Sequence, residues 1–526
     1  MKMYRWGKQT FGLALLVIVL IVVAGCQAVG GLDFNAMLKQ SLKVTSYEGT
    51  ETIEFKLTPS TAWTDVAVED DEPELLDLLT HFKLQLDHVK VADDNNMSMD
   101  GRLDFSGKSI GFSMKTDEKL LVIEIEGALK PFVFELEEPV EDELEEESSS
   151  DEALNEQNLV ELSKQMMDIV GGYAIDNLPN PTTLTVVPAQ ESVGGETVTG
   201  LRVHAELNGK EIWTWMNTYL DALLSDKEGL REMLTSLFDL LNDQSELLDT
   251  IEAAESIFGS IPEEDMKADE IDEAVEEYVT MLTDYKAELE AMEKEEPEVL
   301  DQMFSKETYV KADLLVDSKL DMRKSVIEMS MSPQLPEDSE LNEELTFESV
   351  WIKISSEKWN VNGEVSPEVP DAPEDALDTE DLFMLEGYQL LSNFSKGSDS
   401  YSLLRDDLHI TRQTVVYDNA ILTPAGITIV PLRETTEQLG GTLTKDAATG
   451  MLVVYDEATG RTISLKAGSK QAIVDGQKKT WAFPTTVVGG VTYVAARDLA
   501  KALGGQATWE FFEDDEMGLF VIERES

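Results

Sequence analysis

Against 105 carboxylates this 526-residue chain sets only 41 lysines and arginines, four histidines and one cysteine. Each shortage excludes something. A single thiol cannot form an internal disulfide. There is no Cys-His pair, no Gly-x-Ser-x-Gly elbow and no Walker-type loop, so the usual nucleophilic and phosphate-cradling constellations are missing. Soft and borderline metals prefer imidazole and thiolate. His81 and His88 flank a predicted strand and do not form a matched ligand pair, His204 lies on the polar face of its strand opposite Leu201, Val203 and Ala205, and no histidine follows His409. All four read as exposed or hydrogen-bonded side chains, and neither metal nor cofactor is expected. Two carboxylates for glycoside hydrolysis cannot be singled out among so many. The expectation is a protein without catalytic activity.

The formal charge of -64 repels nucleic acid and anionic headgroups, so no nucleic-acid partner is expected. With 42% hydrophobic residues the chain still has enough apolar material for real cores. Its length suggests about three domains at ~150 residues each.

The one cysteine has a distinctive setting. Lys2, Arg5 and Lys8 precede an apolar run from Phe11 to Val23, and Val23-Ala24-Gly25-Cys26 closes it. A transmembrane helix needs about 20 apolar residues, so this run reads as a secretory signal over residues 1–25. It resembles a lipoprotein signal ending in a lipobox. The resemblance implies a diacylglyceryl group on the Cys26 thiol and a chain tethered to the extracytoplasmic face of a cell membrane.

From Asp33, which can cap a helix, Phe34, Met37, Leu38 and Leu42 follow helical spacing. The period then changes to two, through Ile53-Phe55-Leu57, Phe82-Leu84-Leu86, Met97 to Phe105, Ile110 to Met114, Leu120 to Ile125 and Phe132 to Leu136. These predict an antiparallel meander. Residues 137–158 are dense in like charge and serine, lack the glycine spacing of a calcium loop, and read as a solvated loop. A helix over Leu159 to Ile169 and strands over Thr183 to Val187 and Thr197 to Leu207 follow. One broad apolar helical face then runs from Leu220 to Leu241. A second helix, with Ser260 and Glu263 as a capping box and Pro262 in its first turn, carries an apolar seam from Ile271 to Met292. The seam suits a helical hairpin better than a dimer contact, because the preceding helix offers a matching face. Strands resume at Tyr309 to Val316, Leu320 to Met331, Leu345 to Ile354 and Trp359 to Val361. The fold class is α+β: a large antiparallel meander, one sheet or two, curved over a helical hairpin and filling residues 26–365. The N-terminal helix, the run Ser46-Tyr47-Glu48-Gly49-Thr50-Glu51-Thr52-Ile53 and the long strands resemble, in pattern, lipoprotein-carrier half-barrels. That resemblance implies a concave face able to hold an acyl chain.

Residues 366–406, rich in Pro, Asp and Glu and containing a helix over Leu382 to Phe394, mark a linker. Beyond it the chain repeats itself. Val430-Pro431-Leu432-Arg433 leads through a short helix to Gly440-Gly441, and Val494-Ala495-Ala496-Arg497 leads through another to Gly504-Gly505, at a constant offset of 64. Each unit reads as strand, helix stopped by glycine, strand. Gly468-Ser469-Lys470 and Val474-Asp475-Gly476 lie between. Residues 407–526 resemble the copper amine oxidase N-terminal-like, or stalk, domain. The resemblance implies a small sheet wrapped against a helix in secreted or surface proteins, many of them Gram-positive, while copper and the quinone belong to a separate catalytic domain of such oxidases. Ala495 departs from the proline of the motif. Arg433 and Arg497 invite a carboxylate clamp, and an ion pair with Glu434 or Glu437 is the simpler reading. Together these features predict a lipid-anchored, non-enzymatic surface protein whose partner is a cell-wall polymer or another envelope protein. The alternative is a carrier of an acyl chain or other apolar ligand in the sheet.

Overall fold

The computed structural model describes residues 31–60, 80–136, 149–244, 267–333, 347–379, 382, 385–417, 420–510 and 518–525. The signal segment with Val23, Ala24, Gly25 and Cys26, the acidic residues 137–148 and the capping box at Ser260 lie outside these. Two units emerge, both mixing helices with antiparallel sheet in the manner of the α+β class. The first comprises residues up to Ile125 and Pro131–Ala376; the second comprises Leu377–Ser526 with Glu126–Lys130.

The first unit is built on one eleven-stranded sheet in which every pairing is antiparallel. It consists of two meanders, β1 (Tyr47–Pro59), β2 (His81–Val91), β3 (Met97–Phe105), β4 (Lys108–Thr116), β5 (Leu120–Ile125) and β6 (Phe132–Glu135), then β7 (Thr183–Val193), β8 (Glu196–Asn208), β9 (Tyr309–Asp317), β10 (Met322–Met331) and β11 (Phe347–Trp359). The meanders join where β1 pairs with β11 along its length, from Glu48 opposite Trp359 to Pro59 opposite Phe347. The two strands expected over Leu345–Val361 are thus one. Its polar run Ser355-Ser356-Glu357-Lys358 stays in the sheet because neighbours answer it: the Ser356 and Ser325 hydroxyls meet at 2.8 Å, and Lys324 reaches Glu357 at 2.6 Å.

Alternation sorts the two faces. On one, a single register line runs Ala205, Ala312, Ile327, Ile354, Ile53, Leu84, Leu103, Ile110 across eight strands. On the other, the line one residue along reads Glu206, Lys311, Glu328, Lys353, Glu54, Lys83, Asp104, with charge alternating at every strand. Opposite charges directly across a sheet each add roughly 0.2–1 kcal/mol, and like charges subtract. This ladder therefore favours the one register that buries the apolar line. Glu328 also accepts hydrogen bonds from Tyr309 (2.6 Å) and Trp351 (3.2 Å). The Tyr309 bond holds its carboxyl below the usual value, while burial and Glu328 push the Tyr309 phenol up to about 12. Lys353→Glu would set three carboxylates side by side at the β1–β11 junction. We expect it to cost about 1–2 kcal/mol in urea unfolding at low ionic strength, with the loss shrinking in concentrated salt.

Helices α1 (Phe34–Leu42), α2 (Ser149–Asp176) and α3 (Gly209–Ser225) cover the apolar face over β8 to β10. Asp33 caps α1 through Ala36, and Asn208 with Glu211 makes a capping box for α3. Phe34, Met37, Ile175, Ile212 and Trp215 are buried there against Val203, Leu207, Leu314 and Val316. Two expectations need correction. The acidic stretch is not loop throughout, since residues 149–158 belong to α2; serines and acids are favoured at the start of a helix, where they meet free N–H groups and the positive dipole end. The apolar face from Leu220 to Leu241 is not one helix either. Asp226 ends α3 and caps α4 (Lys227–Asp243) by accepting the Gly229 N–H, and Asn177 holds its other oxygen. Helix α5 (Lys267–Glu295) buries Ile271, Val275, Leu282 and Leu289 against Leu220, Leu223 and Leu230, and α2 adds Leu162 against Leu240 and Leu241. Among the described residues, α3, α4 and α5 stand where the two helices of a hairpin were expected, with α2 packed against them.

The Pro-rich 366–406 stretch is not a free-standing linker. The unit boundary falls inside it, at Ala376/Leu377. Upstream, the Glu368 N–H donates to the Ser98 hydroxyl and its carboxylate pairs with Lys115 at 3.0 Å. Downstream, where one helix was expected over Leu382–Phe394, a helix spans Gly387–Ser392, Leu382 is helical too, and residues 385–386 separate them.

Candidate functional site

The repeat forms the heart of the second unit, whose strands open with β12 (Arg412–Tyr417) and β13 (Ile421–Leu422) and include β17 (Arg461–Leu465), β18 (Gln471–Val474), β19 (Gln477–Thr480) and β20 (Thr486–Val488) between the two copies. In the first copy β14 (Thr428–Pro431) feeds α6 (Leu432–Gln438), Gly440-Gly441 turns the chain, and β15 (Gly441–Lys445) pairs with β16 (Leu452–Asp456). In the second, β21 (Val491–Ala495) feeds α7 (Ala496–Leu503), Gly504-Gly505 follows, and β22 (Gln506–Glu510) pairs with β23 (Leu519–Glu525). Strands β14 and β21 pair antiparallel with Val430 opposite Val494, both fully buried. Those two residues are repeat-mates, so a local two-fold axis passes between them.

Backbone demands explain the motif. Gly440 and Gly504 have φ of 69° and 91°, the left-handed region glycine tolerates best. Their surroundings are also tight: a Cβ on Gly440 would come within 2.5 Å of the Gln413 amide, and one on Gly504 within 2.7 Å of the Arg461 guanidinium. Pro431 precedes α6 at φ -65°, ψ 119°, and Ala495 precedes α7 at φ -63°, ψ 117°. Proline merely fixes a φ that alanine adopts freely, so the second copy keeps the geometry without the ring. Leu432, Ala496, Leu439 and Leu503 fill one core with Val454, Ile463, Leu499 and Phe520.

The arginines are not equivalent. Arg433 is largely exposed and bonds Glu437 one turn on at 2.8 Å, while Arg497 donates to the Ala507 carbonyl at 3.3 Å. No common clamp results from these contacts.

A different pair occupies the buried position. Asp456 lies opposite Gly441 in the β15–β16 register, and extending the β22–β23 register by one residue sets Arg524 beside Gly505. These matching places meet: Arg524 Nη1 contacts Asp456 Oδ2 at 2.7 Å, with side chains 1% and 0% exposed. Gln413 Oε1 accepts from Arg524 Nε at 2.6 Å, and the Thr459 hydroxyl donates to Asp456. Asp456 Oδ1 and Arg524 Nη2 have no partner among the described residues. Sequence reasoning missed this pair. Its available signal was charge closing each of two apolar runs, Leu452-Val453-Val454-Tyr455-Asp456 and Leu519-Phe520-Val521-Ile522-Glu523-Arg524.

The histidines are dispersed. His81 opens β2 and His88 lies in the same strand rather than beyond it, bonded to Asp100 at 2.8 Å. His204 faces Asp313 at 3.0 Å, and His409 lies 3.4 Å from Glu525. Among the described residues no group of three His, Cys, Asp or Glu side chains is placed to hold a metal ion. None of the described helices is long and apolar enough to cross a membrane.

With this geometry in view, residues 409–512 match the family model of the copper amine oxidase N-terminal domain. Such a module is stalk-like and points to a non-catalytic role for this region. The matched residues contain one histidine, His409, and no cysteine, a donor set that does not fit a copper centre. No curated protein matches the chain.

Proposed function

We propose that the chain is a non-enzymatic lipoprotein held at the extracytoplasmic face of a cell membrane through Cys26, and that it serves as a binding or structural module of the cell envelope. The stalk-type module in residues 409–512 is the observation that carries the reading. The lipobox Val23-Ala24-Gly25-Cys26 supports the anchor, because it gives the lone thiol a chemical use. The partner is a wall polymer or another envelope protein, with no nucleic acid and no cofactor.

The sheet supports a second reading, a carrier of an acyl chain. Its apolar line continues beyond the helix-covered strands through Ile53, Leu84, Leu103 and Ile110, with Phe55 stacked on Phe82 at 5.1 Å. One measurement addresses both. Intact-mass spectrometry of the chain from its membrane is expected to show a diacylglyceryl adduct on Cys26 that Cys26→Ala abolishes, together with membrane retention. An unmodified thiol in the membrane fraction would refute the anchor, and a stoichiometric noncovalent lipid under native conditions would favour the carrier.

A further inference from the structure

The charge of -64 is unevenly spread. From Arg461 to Lys501 the chain holds seven lysines and arginines against two aspartates. Four of them, Lys466, Lys470, Lys478 and Lys479, are exposed and gather around one hairpin, β18 (Gln471–Val474) and β19 (Gln477–Thr480). Lys466 directly follows β17 (Arg461–Leu465). Strand β19 is the edge of the five-stranded sheet β15-β16-β17-β18-β19, with Lys478 opposite Ile473 and Lys479 opposite Ala472.

None of these four ammonium groups is ion-paired with a carboxylate among the described residues of the second unit, whose salt bridges engage Arg405, His409, Arg433 and Arg524 instead. Lys470 donates to the Ala482 carbonyl. Asp475, the carboxylate in the hairpin turn, accepts from the Thr462 N–H at 2.9 Å. Among the described residues no carboxylate is paired with this edge.

We propose that the lysine-lined edge of β19 is a docking surface for a linear phosphodiester polyanion of the cell envelope, an inference that rests on the envelope reading above. Ammonium groups are compact point charges without a fixed fork, so they suit a chain of repeating phosphates better than one shaped carboxylate. At physiological salt the screening length is about 8 Å, which confines the repulsion of distant carboxylates and lets a local cluster act. Nucleic acid is the poorer fit. Single-strand binding draws on exposed aromatic platforms, and Trp481, beside β19, is 4% exposed. Lysines on an edge strand also discourage strand pairing, yet Lys466 and Lys470 lie off β19, where that task does not need them.

The test is binding of the full chain to immobilised poly(glycerol phosphate) across a salt series. The wild type should bind near physiological salt, where the distant carboxylates are screened, and lose binding as salt rises further. Lys478→Glu with Lys479→Glu should weaken binding on the order of tenfold and flatten the salt slope by roughly two, one per lost phosphate contact. Because glutamate keeps the edge charged, this variant should stay soluble and melt as the wild type does. Absence of wild-type binding, equal binding by the variant, or preference for single-stranded DNA of equal phosphate number would each overturn the proposal. Whole cell-wall fragments separate the two levels. If stripping the phosphate polymers leaves wild-type binding to the fragments undiminished, and the variant binds the unstripped fragments equally well, the lysine edge is refuted and envelope binding stands. If the chain binds no wall or membrane fraction, the envelope reading itself falls.

Discussion

Asp456→Ala is expected to destabilise the C-terminal unit by about 3–5 kcal/mol, because it strands a buried guanidinium without its counter-charge. Arg524 is 1% exposed on its side chain, and Gln413 would be its remaining side-chain partner. Burying a charge without compensation is far costlier than burying none. Replacing both partners, Asp456→Leu with Arg524→Met, should therefore recover most of the loss. Hydrogen exchange of the β16 and β23 amides in the full chain, followed through a urea series, reads the effect locally. A single variant that loses less than about 1 kcal/mol would show the pair is solvated after all.

The second large effect belongs to the helices of the first unit. Leu230→Ala should cost about 2–5 kcal/mol, since the side chain is fully buried between α4 and α5 and neighbouring helices collapse only partly onto a cavity. Met281→Ala, on the outer side of α5 and 55% exposed, should stay within about 0.5 kcal/mol. Thermal melting of the two variants side by side decides the matter. Comparable losses would mean that α5 uses its Met281 face as well as its Ile271–Leu289 seam.

How much of this was legible in the sequence follows from the range of the forces involved. Strands β3 and β5 were bounded correctly because alternation is a local signal, and so was the apolar seam of α5. The junction of β1 with β11 was not legible as a pairing. It links residues some 300 apart, and Glu54 and Lys353 have no mark in sequence that says they face each other. Asp226 was passed over because one acid in an apolar helical pattern reads as an exposed position, whereas here it caps the next helix. In the repeat, the glycines and Val430 were found from the 64-residue offset, since local backbone demands recur in both copies. Asp456 and Arg524 lie 68 residues apart, off that offset; they match only through their strand registers opposite Gly441 and Gly505 and differ in chemistry, and a search for likeness passes over complementarity.

That difference has a consequence for how the two halves can assemble. The backbone around Val430 and Val494 is two-fold symmetric, yet the buried charges at matching places are opposite. A pairing of two first halves would trap a carboxylate against a carboxylate, and a pairing of two second halves a guanidinium against a guanidinium. Each half is thus complementary to the other and refuses its own kind. Should chains ever exchange segments, the exchange must be reciprocal, first half to second half, and assembly of like halves is barred from within the core.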